Sequence, residues 1–287
     1  MADSAPSFSE FMQGWELGIY REPIYCGVLA GLLLGYLGVY VVLRRMVFIT
    51  AAVSQAAGLG VALAFFAQIH LALQVPEVAG ALALALIVTF LLSAPLERLP
   101  LSRESLLGVA YLSTWAASLI VGDRISQEAH DIASILFGTA VLVRSDDLHA
   151  LIAVAALATG FHALFHRGAH FALFDPEGAR VQRVPVRRLE LASYLWVALS
   201  VSVATRALGV LPVFAFAVMP AVSALLLFDR LRAVLAAAAL CGSLAGGGGY
   251  LLAFFCELPV GACQTVVAAT CVGVALTVRA VRVGLRV

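Results

Sequence analysis

Long stretches without Asp, Glu, Lys or Arg alternate with short charged segments along most of the chain. Most of these stretches approach or exceed the ~20 residues with which an α-helix crosses the hydrocarbon core of a bilayer. The pattern therefore predicts an all-α, polytopic membrane protein with eight or nine transmembrane helices. The charge-free runs are residues 23–43, 46–76, 78–96, 105–122, 150–161, 191–205, 207–228, 233–256 and 258–278.

A charged island at residues 167–188 interrupts this pattern in the second half of the chain. Within it, Asp175, Pro176 and Glu177 predict a helix start. Asp accepts hydrogen bonds from free N–H groups, Pro suits the first helical position, and Glu favours the positive end of the helix. Pro185 predicts the end of this short helix, because the residue before a proline avoids the helical region. The island is consistent with a docking surface and also with an ordinary polar loop.

The composition agrees with a membrane protein and excludes two kinds of functional site. Among 287 residues, 62% are apolar and 12% are charged, and the mean hydropathy is +1.01, which excludes a soluble globular domain. All 18 basic residues are arginine. The absence of lysine excludes a Walker-type phosphate loop and a Schiff-base lysine from this chain.

The arginines are distributed unevenly between the two sides that the pattern defines. All but Arg21, Arg124, Arg144 and Arg206 fall on one side, which the positive-inside rule assigns to the cytoplasm. We therefore expect the N-terminus outside and the C-terminus in the cytoplasm. The predicted organisation is an outer amphipathic or disordered segment at 1–22, a transmembrane domain at 23–280 and a basic cytoplasmic tail at 281–287.

Residues 43–66 read LRRMVFITAAVSQAAGLGVALAFF and carry a family resemblance. They resemble the second helix of the permease subunits of ATP-binding-cassette importers for zinc, manganese and iron, which reads Arg-Arg-Met, an aromatic residue and then Gly-Asp-Ala-Leu-Ser-His-Ala. The family's Asp and His, one turn apart, replace part of an ion's hydration shell. Here Ala51 and Gln55 stand in their place. The matching residues are Arg44, Arg45, Met46, Phe48, Ala52, Ser54, Ala56, Gly60, Val61, Ala62, Leu63 and Ala64.

Four further segments resemble the same family in the same order. Residues 133–148 match a segment in which Thr139 replaces the family's Asp. Its charge-free run at 132–143 is too short to span, so we expect a re-entrant or broken segment. Residues 209–227 match a Gly-Val-Leu signature in which two prolines, Pro212 and Pro220, are expected to kink the helix. Residues 257–261 match an outer Leu-Pro-x-Gly turn. The charged island matches the family's cytoplasmic coupling helix through Phe174, Asp175, Pro176, Glu177, Ala179, Pro185 and Val186.

The resemblance implies that the chain is the permease subunit of a metal importer in the bacterial cytoplasmic (inner) membrane. It implies no enzyme activity and no cofactor, because a separate cytoplasmic ATPase hydrolyses ATP. The other implied partners are an extracytoplasmic solute-binding protein, a second copy of the chain and membrane lipid, with no nucleic acid. It assigns the translocation path to Ala51, Ser54, Gln55 and Thr139, and ATPase coupling to Phe174, Asp175, Pro176, Glu177 and Ala179.

The replaced metal ligands leave three interpretations of the substrate. Metal passes with ligands supplied elsewhere, for example by the receptor or by a histidine face. Alternatively, an importer of the same architecture carries a different or chelated solute, for which an uncharged path needs no metal ligands. A third interpretation is a non-transporting membrane scaffold or sensor that keeps the ATPase-docking surface.

Histidines and cysteines provide the remaining candidate ligands. His162, His166 and His170 recur every four residues and share one helix face. Three neutral imidazoles in this arrangement suit zinc or another borderline metal, and the alternative is a set of interfacial polar side chains near the negative end of a helix. For the cysteines, a disulfide between Cys256 and Cys263 is an alternative to free thiols.

Overall fold

The computed structural model describes residues 8–93, 103–125 and 143–284. Within these ranges, eight helices are long and apolar enough to cross a membrane. The short helices α1 and α7 and the 17-residue α4 accompany them. The helices are α1 Phe8–Glu16, α2 Arg21–Leu43, α3 Val47–His70, α4 Glu77–Ser93, α5 Arg103–Ile125, α6 Ser145–Phe174, α7 Pro176–Val181, α8 Val186–Leu208, α9 Val210–Leu227, α10 Leu231–Cys256 and α11 Val260–Gly284.

The all-α, polytopic prediction is confirmed, and each of the nine charge-free runs overlaps a helix. The run at 150–161 lies in the middle of α6, whose 30 residues extend into polar sequence at both ends. The run at 78–96 corresponds to α4, which is shorter than the ~20 residues of a full span. Most of the segment at 132–143, for which we expected a re-entrant conformation, lies outside the described residues.

Backbone contact between α2 and α10 holds the centre of the bundle together. Gly31 of α2 faces Gly242 of α10, and Gly27 faces Gly246 one turn away. A Cβ atom added at Gly31, Gly242 or Gly246 would collide with the carbonyl group of the facing glycine. One added at Gly27 would lie 3.1 Å from the Gly246 carbonyl oxygen, which is tighter than an ordinary contact. Small residues let helices approach this closely in a membrane, where packing rather than the hydrophobic effect drives association.

Gly209 separates α8 from α9 inside the bundle. It is buried, and its φ of 92° lies in a region that favours glycine. A Cβ atom on Gly58, near the middle of α3, would meet the side chain of Val210, so the interruption is level with the middle of α3. The interruption precedes both prolines: Pro212 lies in the first turn of α9, where no intrahelical bond is lost, and Pro220 lies inside the helix.

A three-residue ionic cluster joins α4, α6 and α8. The Arg206 guanidinium forms ion pairs with Glu77 and Asp147, and the Asp147 carboxylate also accepts a hydrogen bond from the Arg144 backbone N–H at 3.1 Å. The arginine side chain is only 11% exposed. Removing one partner from such a buried set leaves an uncompensated charge, which typically costs ~3–5 kcal/mol.

The contact between α2 and α10 predicts opposite effects for two neighbouring glycines. Gly246→Ala should lower the Tm of the detergent-purified chain, because overpacking typically costs ~1–3 kcal/mol. Gly248→Ala in the same helix should leave the Tm unchanged or raise it, because an added Cβ there meets nothing within 4 Å and alanine is the better helix former. Equal Tm values for the two variants would contradict the close-packing assignment.

Candidate functional site

A cavity of about 170 Å³ lies between α3, α5 and the first turns of α9. We call it the Gln55 cavity. Ala51 and Gln55 are four residues apart on α3 and therefore face the same way. Tyr111 and Trp115 have the same spacing on α5 and contribute aromatic surface. The full lining is Ala51, Gln55, Tyr111, Trp115, Val210, Leu211 and Phe214.

The Gln55 side chain is the main polar feature of this cavity. It is 8% exposed, and its Oε1 atom has no hydrogen-bond partner in the described part of the chain. A buried polar atom without a partner typically costs ~1–3 kcal/mol. The carbonyl oxygen of Gln55 is therefore available to accept a hydrogen bond from a molecule that enters the cavity.

The other predicted path residues lie elsewhere. Ser54 is fully buried and its Oγ donates to the backbone carbonyl of Thr50 at 2.8 Å. Its hydroxyl is thus satisfied within α3, and Ser54 is not among the residues that line the cavity. Thr139 lies outside the described residues. Of the predicted path residues, the structure brings together only Ala51 and Gln55 within the described ranges.

The predicted coupling segment folds as the helix α7. The Asp175 carboxylate accepts a hydrogen bond from the Gly178 N–H at 2.8 Å, and Pro176 occupies the first turn, as the sequence predicts. Ala179 is fully buried and packs with Ala172 of α6 and with the start of α8. Phe174 and Glu177 are exposed and remain available for contact with a partner.

The end of α7 differs from the sequence prediction. The helix ends at Val181 rather than at Pro185. Arg183 adopts a left-handed conformation, with a φ of 60°. The Val184 N–H donates to the Ala179 carbonyl at 2.9 Å, and the Arg183 N–H donates to the Arg180 carbonyl at 3.0 Å. This pair of hydrogen bonds is a Schellman motif, and it stops the helix before the proline is reached.

Comparison with known sequences identifies the family. Residues 18–279 match the family described as the ABC 3 transport family. The chain belongs to the ABC 3 transport family. The match covers the cavity, the ionic cluster and α7 together. It confirms the resemblance to permeases of ATP-binding-cassette metal importers, and it makes the chain a membrane permease subunit.

Two curated relatives and one solved structure share nearly the whole length of this ABC 3 chain. It is 23% identical to the manganese transport system membrane protein MntC of Halalkalibacterium halodurans, over 87% of this chain and 84% of MntC. It is 24% identical to the chelated iron transport system membrane protein YfeD of Yersinia pestis, over 94% and 88% of the two chains. PsaBC from Streptococcus pneumoniae, solved in complex with Fab, has the same fold, with a TM-score of 0.82, 20% identity and coverage of 94% and 95%.

The three histidines of this family member do not converge. His162 is buried against the rings of Tyr36 and Tyr40, and its Nδ1 lies 2.9 Å from the Ala158 carbonyl oxygen. His170 Nε2 lies 3.0 Å from the Tyr40 hydroxyl, whereas His166 is exposed. Among the residues that the structure describes, no three His, Cys, Asp or Glu side chains form a group that could hold a metal ion.

Several residues of interest gave no usable signal in the sequence. Tyr111, Trp115 and Phe214 resemble the aromatic residues that face lipid in most membrane helices, so their cavity could not be inferred. The partners of Arg206 come from α4 and α6, which lie far from it in the sequence. The five cysteines are free, including Cys256 and Cys263.

Proposed function

We propose that this chain is the permease subunit of an ATP-driven importer and that metal is its cargo. The observation that carries the proposal is the Gln55 cavity. It is lined by Ala51 and Gln55, the two positions at which the resemblance locates the metal-handling pair of the family. The names of the relatives, which refer to manganese and to chelated iron, support the same class of cargo. The proposed metal is manganese, iron or zinc.

The proposed partners are a cytoplasmic ATPase, an extracytoplasmic receptor and a second copy of the chain. The surface beside α7 supports the first. A hollow of about 380 Å³ there has an apolar floor and three arginines, and it suits an acidic, partly apolar partner surface. The hollow is lined by Arg180, Pro185, Val186, Arg187, Arg188 and Leu191. In this arrangement the N-terminus faces outside and the C-terminus faces the ATPase, because most arginines lie on that side.

The second copy is supported by the position of the cavity at one side of the bundle. Trp115, which lines the cavity, is 43% exposed on α5. The exposed face of α5 also carries Val109 and Leu112. Pairing two copies through this face would enclose both cavities at a two-fold axis, as closed symmetric dimers do.

Metal accumulation tests the importer proposal directly. Cells that express the chain with its cognate ATPase and receptor should accumulate manganese, iron or zinc in elemental analysis. A substitution of the Walker lysine of the ATPase should abolish this increase. An assembled complex that accumulates none of these metals would instead favour a scaffold or sensor with the same docking surface.

Glu177→Arg should weaken association with the ATPase at least several-fold while leaving membrane insertion intact. Glu177 is exposed at the start of α7, and we expect its carboxylate to pair with a basic residue of the ATPase. Glu177→Arg would turn this pair into a contact between like charges. Co-purification of the ATPase measures the effect. Gln68→Arg, at an exposed position near the C-terminal end of α3, is the matched control. Unchanged co-purification of Glu177→Arg would remove α7 from the interface.

The double substitution Ala51→Asp with Gln55→His should raise ATP-dependent uptake of a free divalent ion. A carboxylate and an imidazole one turn apart supply first-row metal ligands that the cavity lacks. The double substitution Ala51→Asn with Gln55→His matches its volume but not its charge, and should give a smaller increase. Equal uptake by both double variants and the parent chain would mean that this face of α3 is not on the ion path.

A further inference from the structure

Within the described residues, the lining of the Gln55 cavity offers no anionic ligand to a metal ion. These seven residues include no carboxylate, imidazole or thiol. A divalent ion that gave up its hydration shell here would find one amide carbonyl, one phenol hydroxyl and aromatic surface among them. Burying a charge without paired ligands is expensive, so an unaccompanied divalent ion is a poor fit to this cavity.

The start of α9 adds a positive end to the same cavity. Val210 and Leu211 are the first two residues of α9, and both line the cavity. Helix geometry leaves their N–H groups without intrahelical acceptors, and no side chain caps this end. The partial positive charge of a helix N-terminus repels a cation and attracts an anion or a hydrogen-bond acceptor.

Gln55 supplies the complementary group. Its buried and unpartnered Oε1 requires a hydrogen-bond donor, whereas the free N–H groups of α9 require acceptors. A molecule that satisfies both must carry a hydroxyl or similar donor together with oxygen acceptors. Its size is limited by the volume of about 170 Å³, which equals about five to six water molecules at ~30 Å³ each.

We propose that the Gln55 cavity takes a metal ion as its complex with a small hydroxycarboxylate, in which the chelator neutralises the ion. The carboxylates accept hydrogen bonds from the N–H groups of Val210 and Leu211. The chelator hydroxyl, or a water on the complex, donates to Gln55 Oε1. The inference rests on the importer function proposed above and names the chemical form of its cargo.

Equilibrium binding to the purified full-length permease in detergent tests whether the cavity prefers the metal complex to the free ion. The probes are radioactive Mn²⁺ alone, Mn²⁺ with excess malate, which forms a neutral one-to-one complex with the ion, and malate alone. We expect the malate complex to bind at least tenfold more tightly than Mn²⁺ alone or malate alone. Equal or tighter binding of Mn²⁺ alone, or of metal-free malate, would overturn the proposal.

The substitution Gln55→Leu distinguishes a role of Gln55 in ligand binding from a role in the stability of the fold. It removes an unpartnered buried amide and fills a similar volume, so the Tm should stay the same or rise. Binding of the malate complex should fall at least tenfold. Gln68→Leu, the same change at an exposed position of α3 outside the cavity lining, should leave binding unchanged. A Gln55→Leu chain with a lower Tm, or one with unchanged binding of the complex, would contradict the role of Gln55.

An uptake assay distinguishes a failure of this inference from a failure of the importer proposal. In vesicles that contain the permease and its ATPase, with the receptor supplied on the substrate side, ATP-dependent uptake of malate-bound manganese in preference to free Mn²⁺ would support both. ATP-dependent uptake of free Mn²⁺ in preference to the complex would leave the importer standing and overturn the inference. No ATP-dependent uptake of either form by the assembled complex would overturn the importer proposal and this inference with it.

Discussion

Contact between the backbones of α2 and α10 is the constraint on which the rest of the bundle depends. Neighbouring glycines, Gly27 and Gly31 on α2 and Gly242 and Gly246 on α10, leave no room for a methyl group between the helices. The buried Gln264 of α11 then fits against this pair, with its Nε2 donating to the Gly246 carbonyl at 3.0 Å. In lipid, which competes poorly with such packing, small residues and interhelical hydrogen bonds fix the helix positions.

The packed bundle surrounds a helix interruption at Gly209, between α8 and α9. Breaking a helix in the hydrocarbon region exposes backbone N–H groups, which is tolerated only where protein or a cavity surrounds them. The break lies beside Gly58, and the residues that follow it line the Gln55 cavity. The interrupted helix and the cavity are therefore one feature, because the residues that begin α9 also line the cavity.

The sequence predicted the helices well because each one depends on a local property. Within the described residues, charge-free runs of span length form helices, and the Asp175-Pro176 pair starts α7 through a hydrogen bond within four residues. The features that it missed depend on distant partners. Arg206 meets Glu77 and Asp147 only after three helices pack, and the left-handed Arg183 that stops α7 has no compositional signature. Aromatic residues on α5 give the same pattern whether they face lipid or a cavity.

The chain order suggests how movement at α7 reaches the cavity in the function that we propose. α7 leads through a tight turn into α8, whose first turn packs on Ala179. α8 then runs for 23 residues to Gly209 and the cavity. Arg206, one turn before Gly209, is held by carboxylates from α4 and α6. In the proposed function, a displacement of α7 would be carried along α8, which is held near its far end, and would change the angle between α8 and α9 at Gly209. Closure of an ATPase can drive this change only if it binds the two angles with different affinity. A neutral complex is easier to release at such a joint than an ion held by direct ligands, since no metal–protein bond has to break.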